Sequence, residues 1–110
     1  MTQAMDRQQH TDAGIAADHA FAAAAARIAR EIELYCRLEA VADAAAEIWG
    51  ATHLSVETID GGADVLAIFG DEESVIDLWD LDPLLWDEAN RAAMEFFPVG
   101  QTGVIHPRRA

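Results

Sequence analysis

A long stretch free of helix-breaking residues is the feature that most limits how this chain folds. Between Ala16 and Trp49 there is no proline and no glycine, and alanine, leucine, arginine and glutamate predominate. These side chains lose little freedom in a helix, so the stretch predicts one long α-helix, with Thr11 or Asp12 as its N-cap. Gly50 is expected to end it, because glycine readily adopts the left-handed conformation at a helix C-terminus.

Apolar residues follow this helix in two stripes, each repeating at alternate steps of four and three residues. The C-terminal stripe comprises Leu34, Leu38, Val41, Ala45 and Ile48, and the N-terminal stripe comprises Phe21, Ala25, Ile28, Ile32 and Tyr35. At about 100° per residue, the centres of the two stripes are separated by more than about 90° around the helix axis. One therefore faces the domain core. The other meets a later part of the chain, marks a kink between two shorter helices, or forms a homodimer through Phe21, Ile28 and Ile32.

Beyond Gly50 the apolar residues follow a period of two. His53 to Ile59 alternates as a half-exposed strand does, and Val65 to Phe69 is a continuous apolar strand. The glycine-containing segment between these strands predicts a hairpin. Two strands alone are marginally stable, so we expect the hairpin to pack on helices or to gain a third strand, for example from Thr102 to His106 or from a partner.

Two further helices are expected after the hairpin. One opens at Asp71 and runs to about Trp79, with its acidic residues at the favourable N-terminal end. The other opens at Asp82 and Pro83 and ends before Pro98. The resulting order, α-β-β-α-α, predicts a single α+β domain over residues 13–98, between a flexible tail at 1–12 and a C-terminal tail at 99–110.

The charge of the chain is large and unevenly distributed. Twenty acidic residues and seven arginines give a formal net charge of −13. Fourteen of the acidic residues and no basic residue lie between Leu38 and Asn90. This balance argues against binding nucleic acid through its phosphates and against an anionic membrane surface. Adaptation to concentrated salt would also favour acidity, but it predicts acidic residues spread over the whole chain.

No residue pattern typical of catalysis or metal binding occurs. The four histidines lack metal-ligand spacing, and Gly61-Gly62 lacks the context of a phosphate-binding loop. Cys36 is the single cysteine, which excludes an internal disulfide and a multi-cysteine metal site. We therefore expect no enzymatic activity, no metal and no cofactor. The lone thiol and the absence of a signal-peptide pattern favour the cytoplasm.

The carboxylates themselves are the candidate binding residues. Glu39, Asp43 and Glu47 lie four residues apart on the predicted helix, about 6 Å per step along its axis. This row is expected to face water, and neither Asp43 nor Glu47 has an arginine at helical spacing. A second cluster interleaves acids with tryptophans, a composition typical of interfaces for cationic partners; it comprises Asp71, Glu72, Glu73, Asp77, Trp79, Asp80 and Trp86. The competing interpretations are a solvated helix face for the row and core tryptophans for the cluster.

This combination resembles the small acidic inhibitors with which phages and plasmids mimic DNA, the anti-CRISPR and anti-restriction proteins. The resemblance lies in length, acidity and element order: an alanine-rich first helix, a short β segment, and C-terminal helices bearing acids and tryptophan. It implies a non-enzymatic inhibitor that binds the basic surface of a CRISPR effector, restriction enzyme or nuclease. Carboxylates spaced along a rigid scaffold would stand in for phosphates there.

Two other functions fit the same sequence. An immunity or antitoxin-like protein would use the same electrostatics against a cationic toxin, with the Trp79 and Trp86 region filling a pocket. A structural adaptor would dimerise through Phe21, Ile28 and Ile32, and its acidity would be incidental.

Overall fold

A computed structural model of the chain describes residues 2–70 and 74–108, with side chains described from Ala17 onward. Its elements are α1 (Thr2–Trp49), β1 (His53–Ile59), β2 (Gly62–Phe69), β3 (Ser74–Asp77), α2 (Leu78–Leu81), α3 (Pro83–Phe96) and β4 (Thr102–Ile105). The α+β class, the long N-terminal helix and the hairpin are confirmed. The chain divides into two compact units, Met1–Glu31, which is helical where described, and Ile32–Ala110, which holds the sheet.

Helix α1 begins earlier than expected and ends where expected. It starts at Thr2, so it includes residues predicted to form a flexible tail, and Thr11 and Asp12 lie within it rather than at its N-cap. Glutamine, alanine, methionine and arginine in this segment suit a helix, and the single Gly14 costs only about 1 kcal/mol. At the other end, Gly50 has a φ of 81°, and its amide donates to the carbonyl oxygen of Ala46 at 2.9 Å.

The four strands form one antiparallel sheet in the order β3-β2-β1-β4. In its register, Leu54 of β1 lies between Ala67 of β2 and Ile105 of β4. The hydroxyl of buried Thr58 lies 2.6 Å from the carbonyl oxygen of Pro98, which ties the loop before β4 to β1. The segment predicted as a C-terminal tail therefore contains a strand, because pairing with β1 satisfies backbone groups that an open edge would expose. This is the third strand anticipated at Thr102 to His106.

A strand also takes the place of part of the helix predicted from Asp71 to about Trp79. Of the described residues in this stretch, Ser74–Asp77 pair with β2 as a strand, and the helix α2 begins at Leu78. Val75 and Ile76 are β-branched, which favours a strand, and the edge of β2 offers them a partner. Asp71 itself lies outside the described residues.

The core lies between the helices and one face of the sheet. From α1 it takes Leu34, Leu38, Val41, Ala42 and Ala45, from the sheet Leu54, Val56, Val65 and Ala67, and from α3 Ala89, Ala92 and Ala93. Ile48, predicted to belong to the core stripe, is 61 % exposed. It lies about 80° around the helix from Leu38, whereas Trp49 lies only about 20° from Leu38. Trp49 therefore packs against the core in its place.

Gly103 allows β4 to lie close to the end of α3. A Cβ atom built at Gly103 would lie 2.5 Å from Cζ of Phe97, whose ring packs edge-on against Phe96. We expect Gly103→Val to displace this ring and to lower the free energy of unfolding by about 1–3 kcal/mol, measured by urea denaturation. The control, Thr102→Val, exchanges one β-branched side chain for another at the exposed neighbouring position and should change stability by less than about 0.5 kcal/mol. Equal stability of the Gly103→Val variant and the wild type would contradict the close packing.

Candidate acidic interaction surface

The C-terminal segment covers part of the first carboxylate row. The backbone N–H of Arg108 donates to Oδ1 of Asp43 at 2.7 Å, and Nε of Arg108 donates to Oε1 of Glu39 at 3.4 Å. Its Nη2 also donates to the carbonyl oxygen of Cys36 at 3.2 Å. Glu39 and Asp43 are therefore half-buried and hydrogen-bonded from within the chain, whereas the sequence predicted that they face water. Pro107, which directly precedes Arg108 and is the second residue after β4, is buried.

Glu47, the third member of the row, is exposed in the last turn of α1. Within the part of the chain that the structure describes, no basic side chain forms an ion pair with it. The row thus consists of two carboxylates satisfied from within the chain and one that faces solvent.

The two tryptophans of the second cluster differ in their surroundings. Trp86 is half-buried and packs against the core, as the competing interpretation predicts. Trp79 is 53 % exposed, and its ring meets that of Trp86 at a centroid distance of 5.1 Å and an interplanar angle of 89°. Edge-to-face contact of this kind is favourable for aromatic pairs. Trp86 thus holds the exposed indole of Trp79 in place.

Two aspartates of this region act as helix caps. Oδ1 of Asp77 accepts the backbone N–H of Trp79 at 2.9 Å, at the start of α2. Oδ1 of Asp82 accepts the N–H groups of Leu84 and Leu85 at 2.9 and 3.3 Å, at the start of α3. A cap carboxylate satisfies backbone donors that the helix leaves unpaired. Asp77, predicted to contact a partner, therefore has a structural task in positioning Trp79.

Replacing the α3 cap is expected to weaken the domain moderately. Asp82→Ala removes the acceptor for two backbone donors and should lower the free energy of unfolding by about 1 kcal/mol, measured by urea denaturation. Asp80→Ala makes the same charge change at an exposed residue of α2 and should change stability by less than about 0.5 kcal/mol. The capping role would be contradicted if the two variants were equally stable.

Two exposed acids lie on the helices that carry Trp79 and Trp86. Asp80 and Glu88 are exposed, and none of the described basic side chains pairs with either, whereas Asp87 pairs with Arg91 at 3.1 Å. We define the acidic–aromatic surface by Trp79, Asp80 and Trp86, since Trp79 and Asp80 are consecutive in α2 and the ring of Trp86 on α3 contacts that of Trp79.

Leu84 is an exposed apolar residue of α3 that was not among the predicted contact residues. It is 82 % exposed and lies one helical turn before Glu88 on α3. Its exposure could have been predicted from the helical spacing, because Leu84 shares the helix face of Glu88 and Arg91. The apolar positions Ala89 and Ala92 point away from this face. A large apolar side chain on a polar helix face offers a partner surface to bury.

The other predicted contact residues fall into two groups. Asp71, Glu72 and Glu73 lie outside the described residues. Phe21 and Ile28, predicted to form a dimer interface, are 77 % and 56 % exposed in the first unit. Ile32, in the second unit, is 60 % exposed.

The described residues carry no cluster of metal ligands. Among the side chains described, those of residues 17–70 and 74–108, no three of histidine, cysteine, aspartate or glutamate lie together so as to hold a metal ion. Within the same residues, no helix combines the length and the apolar character needed to cross a lipid bilayer.

No protein-family model, curated protein or solved structure matches this chain. The function proposed below therefore rests on the chain's own geometry and charge.

Proposed function

We propose that this chain is a non-enzymatic inhibitor whose acidic–aromatic surface binds a basic, nucleic-acid-binding surface of another protein. The observation that carries the proposal is the exposed indole of Trp79, fixed against Trp86 and followed in the chain by the exposed carboxylate of Asp80. Exposed tryptophan at the centre of an interface supplies a large share of binding energy when a partner buries it.

The edge-to-face contact restricts the side chain of Trp79 before a partner binds. An indole already held by Trp86 and by the capped backbone of α2 loses little additional conformational freedom when a partner covers it. A fixed aromatic face next to a carboxylate suits an arginine in particular. The planar guanidinium stacks on the ring and donates hydrogen bonds to the carboxylate.

The charge distribution supports a cationic partner. The −13 net charge attracts a basic surface over long range and raises the rate of encounter, with a strong dependence on salt. Nucleic-acid-binding grooves are lined by lysine and arginine because they must neutralise phosphates. Asp80, Glu88 and Glu47, exposed and without a described cationic partner, are the carboxylates that would take the place of phosphates.

Such partners are CRISPR effectors, restriction enzymes and other nucleases. They act in the cytoplasm, the compartment that the free thiol of Cys36 also suits. The pocket-filling antagonist of a cationic toxin uses the same surface, and the exposed Trp79 ring is the group that would enter the toxin's pocket.

A capture experiment tests the proposal. The immobilised protein is incubated with lysate of its source cells at low and at high salt, with and without competing duplex DNA, and bound proteins are identified by mass spectrometry. We expect a nucleic-acid-binding enzyme that is lost at high salt and displaced by DNA. Capture of a single salt-resistant partner that DNA does not displace would favour the toxin antagonist, and capture of no cationic protein would refute the proposal.

A further inference from the structure

We infer that the N-terminal part of α1 is a self-association surface, on which the face carrying Phe21, Ala25 and Ile28 packs against α1 of a second copy of this chain. This inference is independent of the proposed function, since it concerns other residues and another partner.

The first observation is the exposure of this segment. None of the residues from Ala17 to Glu33 is buried, and the exposed ones include the large apolar side chains of Phe21, Ile28 and Ile32. A helix gains most of its stability from packing an apolar face, and isolated helices are marginal in water. A helical segment with large apolar side chains in solvent therefore gains stability when another surface covers them.

The second observation is the spacing of the apolar residues. Phe21, Ala25 and Ile28 lie at steps of four and three, and Ile32 and Tyr35 continue the same steps in the sequence. This alternation is the spacing at which one helix packs its side chains between those of another helix. Alanine occupies all positions from 22 to 26, so the backbones of two such helices can approach closely.

The third observation is the charge, which favours a second copy over a cationic partner at this segment. Residues 2–37 contain five acidic residues and four arginines, a net charge of −1, whereas residues 38–110 contain fifteen acidic residues and three arginines, a net charge of −12. A cationic partner is attracted to the second of these segments. The nearly neutral helix is the part of this acidic chain that can meet its own copy with little repulsion.

The test is the mass of the protein in solution, measured by light scattering after size-exclusion chromatography over a range of concentrations. We expect the wild type to have twice the 11.9 kDa of one chain. Ile28→Asp places a charge in the apolar face and should yield the monomer. The matched control, Ala26→Asp, makes the same charge change about 160° around the same helix and should remain dimeric.

Two further measurements separate loss of association from loss of folding. Circular dichroism at equal concentration shows whether the Ile28→Asp variant keeps its sheet and core helices. Ile28→Ala introduces a strong helix former, so the helix is retained. Because it removes apolar area from the interface, it should weaken dimerisation at least about tenfold. A monomeric wild type, a dimeric Ile28→Asp variant, or equal loss of dimer in Ile28→Asp and Ala26→Asp would overturn the inference.

Discussion

Leu38→Ala is expected to lower the free energy of unfolding by about 2–5 kcal/mol, the largest stability effect of any substitution considered for this chain. Leu38 is fully buried at the centre of the α1 face that packs on the sheet. Truncation removes the buried side chain and leaves a cavity that the surrounding core fills only in part. Urea denaturation followed by circular dichroism measures the change.

Ile48→Ala is the matched control for this prediction. Both residues belong to the same sequence stripe on the same helix, but Ile48 is largely exposed, so its truncation should change stability by less than about 0.5 kcal/mol. A similar loss for both variants would show that Ile48 lies in the core and that the described end of α1 is wrong.

Trp79→Ala is expected to have the largest effect on binding. Truncation of a central aromatic anchor costs about 2 kcal/mol or more, which is roughly a thirtyfold loss of affinity. Isothermal titration calorimetry measures the affinity of the purified variant for the captured partner and compares it with the affinity of the wild type. Because Trp79 is half-exposed, the variant should remain folded, which its thermal unfolding checks.

The control for the binding prediction is Val99→Ala, which truncates a largely exposed apolar residue outside the acidic–aromatic surface. Its affinity for the partner should equal that of the wild type. If Trp79→Ala also bound as the wild type does, the indole would lie outside the interface and the proposed surface would be wrong.

Local sequence signals predicted the elements whose causes are themselves local. Gly50 ends α1 because its backbone is left-handed, and Asp82 caps α3 as its position before Pro83 predicts. The hairpin likewise follows from the alternation in β1. Each of these features is determined by residues within a few positions of one another, so a local sequence pattern is sufficient to predict it.

Two features that depend on distant residues were missed, although the pairing of the strand near Thr102 was anticipated as one alternative. The contact between Arg108 and Asp43 joins residues 65 positions apart, so no helical spacing could indicate it. The strand at Ser74–Asp77 forms because the edge of β2 is available, and a segment of four residues is too short for periodicity to distinguish a strand from a helix.

The candidate site was predictable in composition but not in detail. The sequence grouped the acids by position, whereas the structure separates them by what they contact. Asp77 and Asp82 cap helices, Glu39 and Asp43 hold Arg108, and Asp87 pairs with Arg91. Glu47, Asp80 and Glu88 face solvent, and they are the acids that the proposed interface would use.

Competition between this protein and DNA for the captured partner tests the central claim most directly. The partner is bound to a fluorescently labelled duplex, the wild-type protein is titrated in, and fluorescence anisotropy reports the bound DNA. The account predicts complete displacement of the duplex by the wild type and at least about tenfold weaker displacement by Trp79→Ala. A stable ternary complex of protein, partner and duplex would contradict it, because the two ligands would then occupy different surfaces.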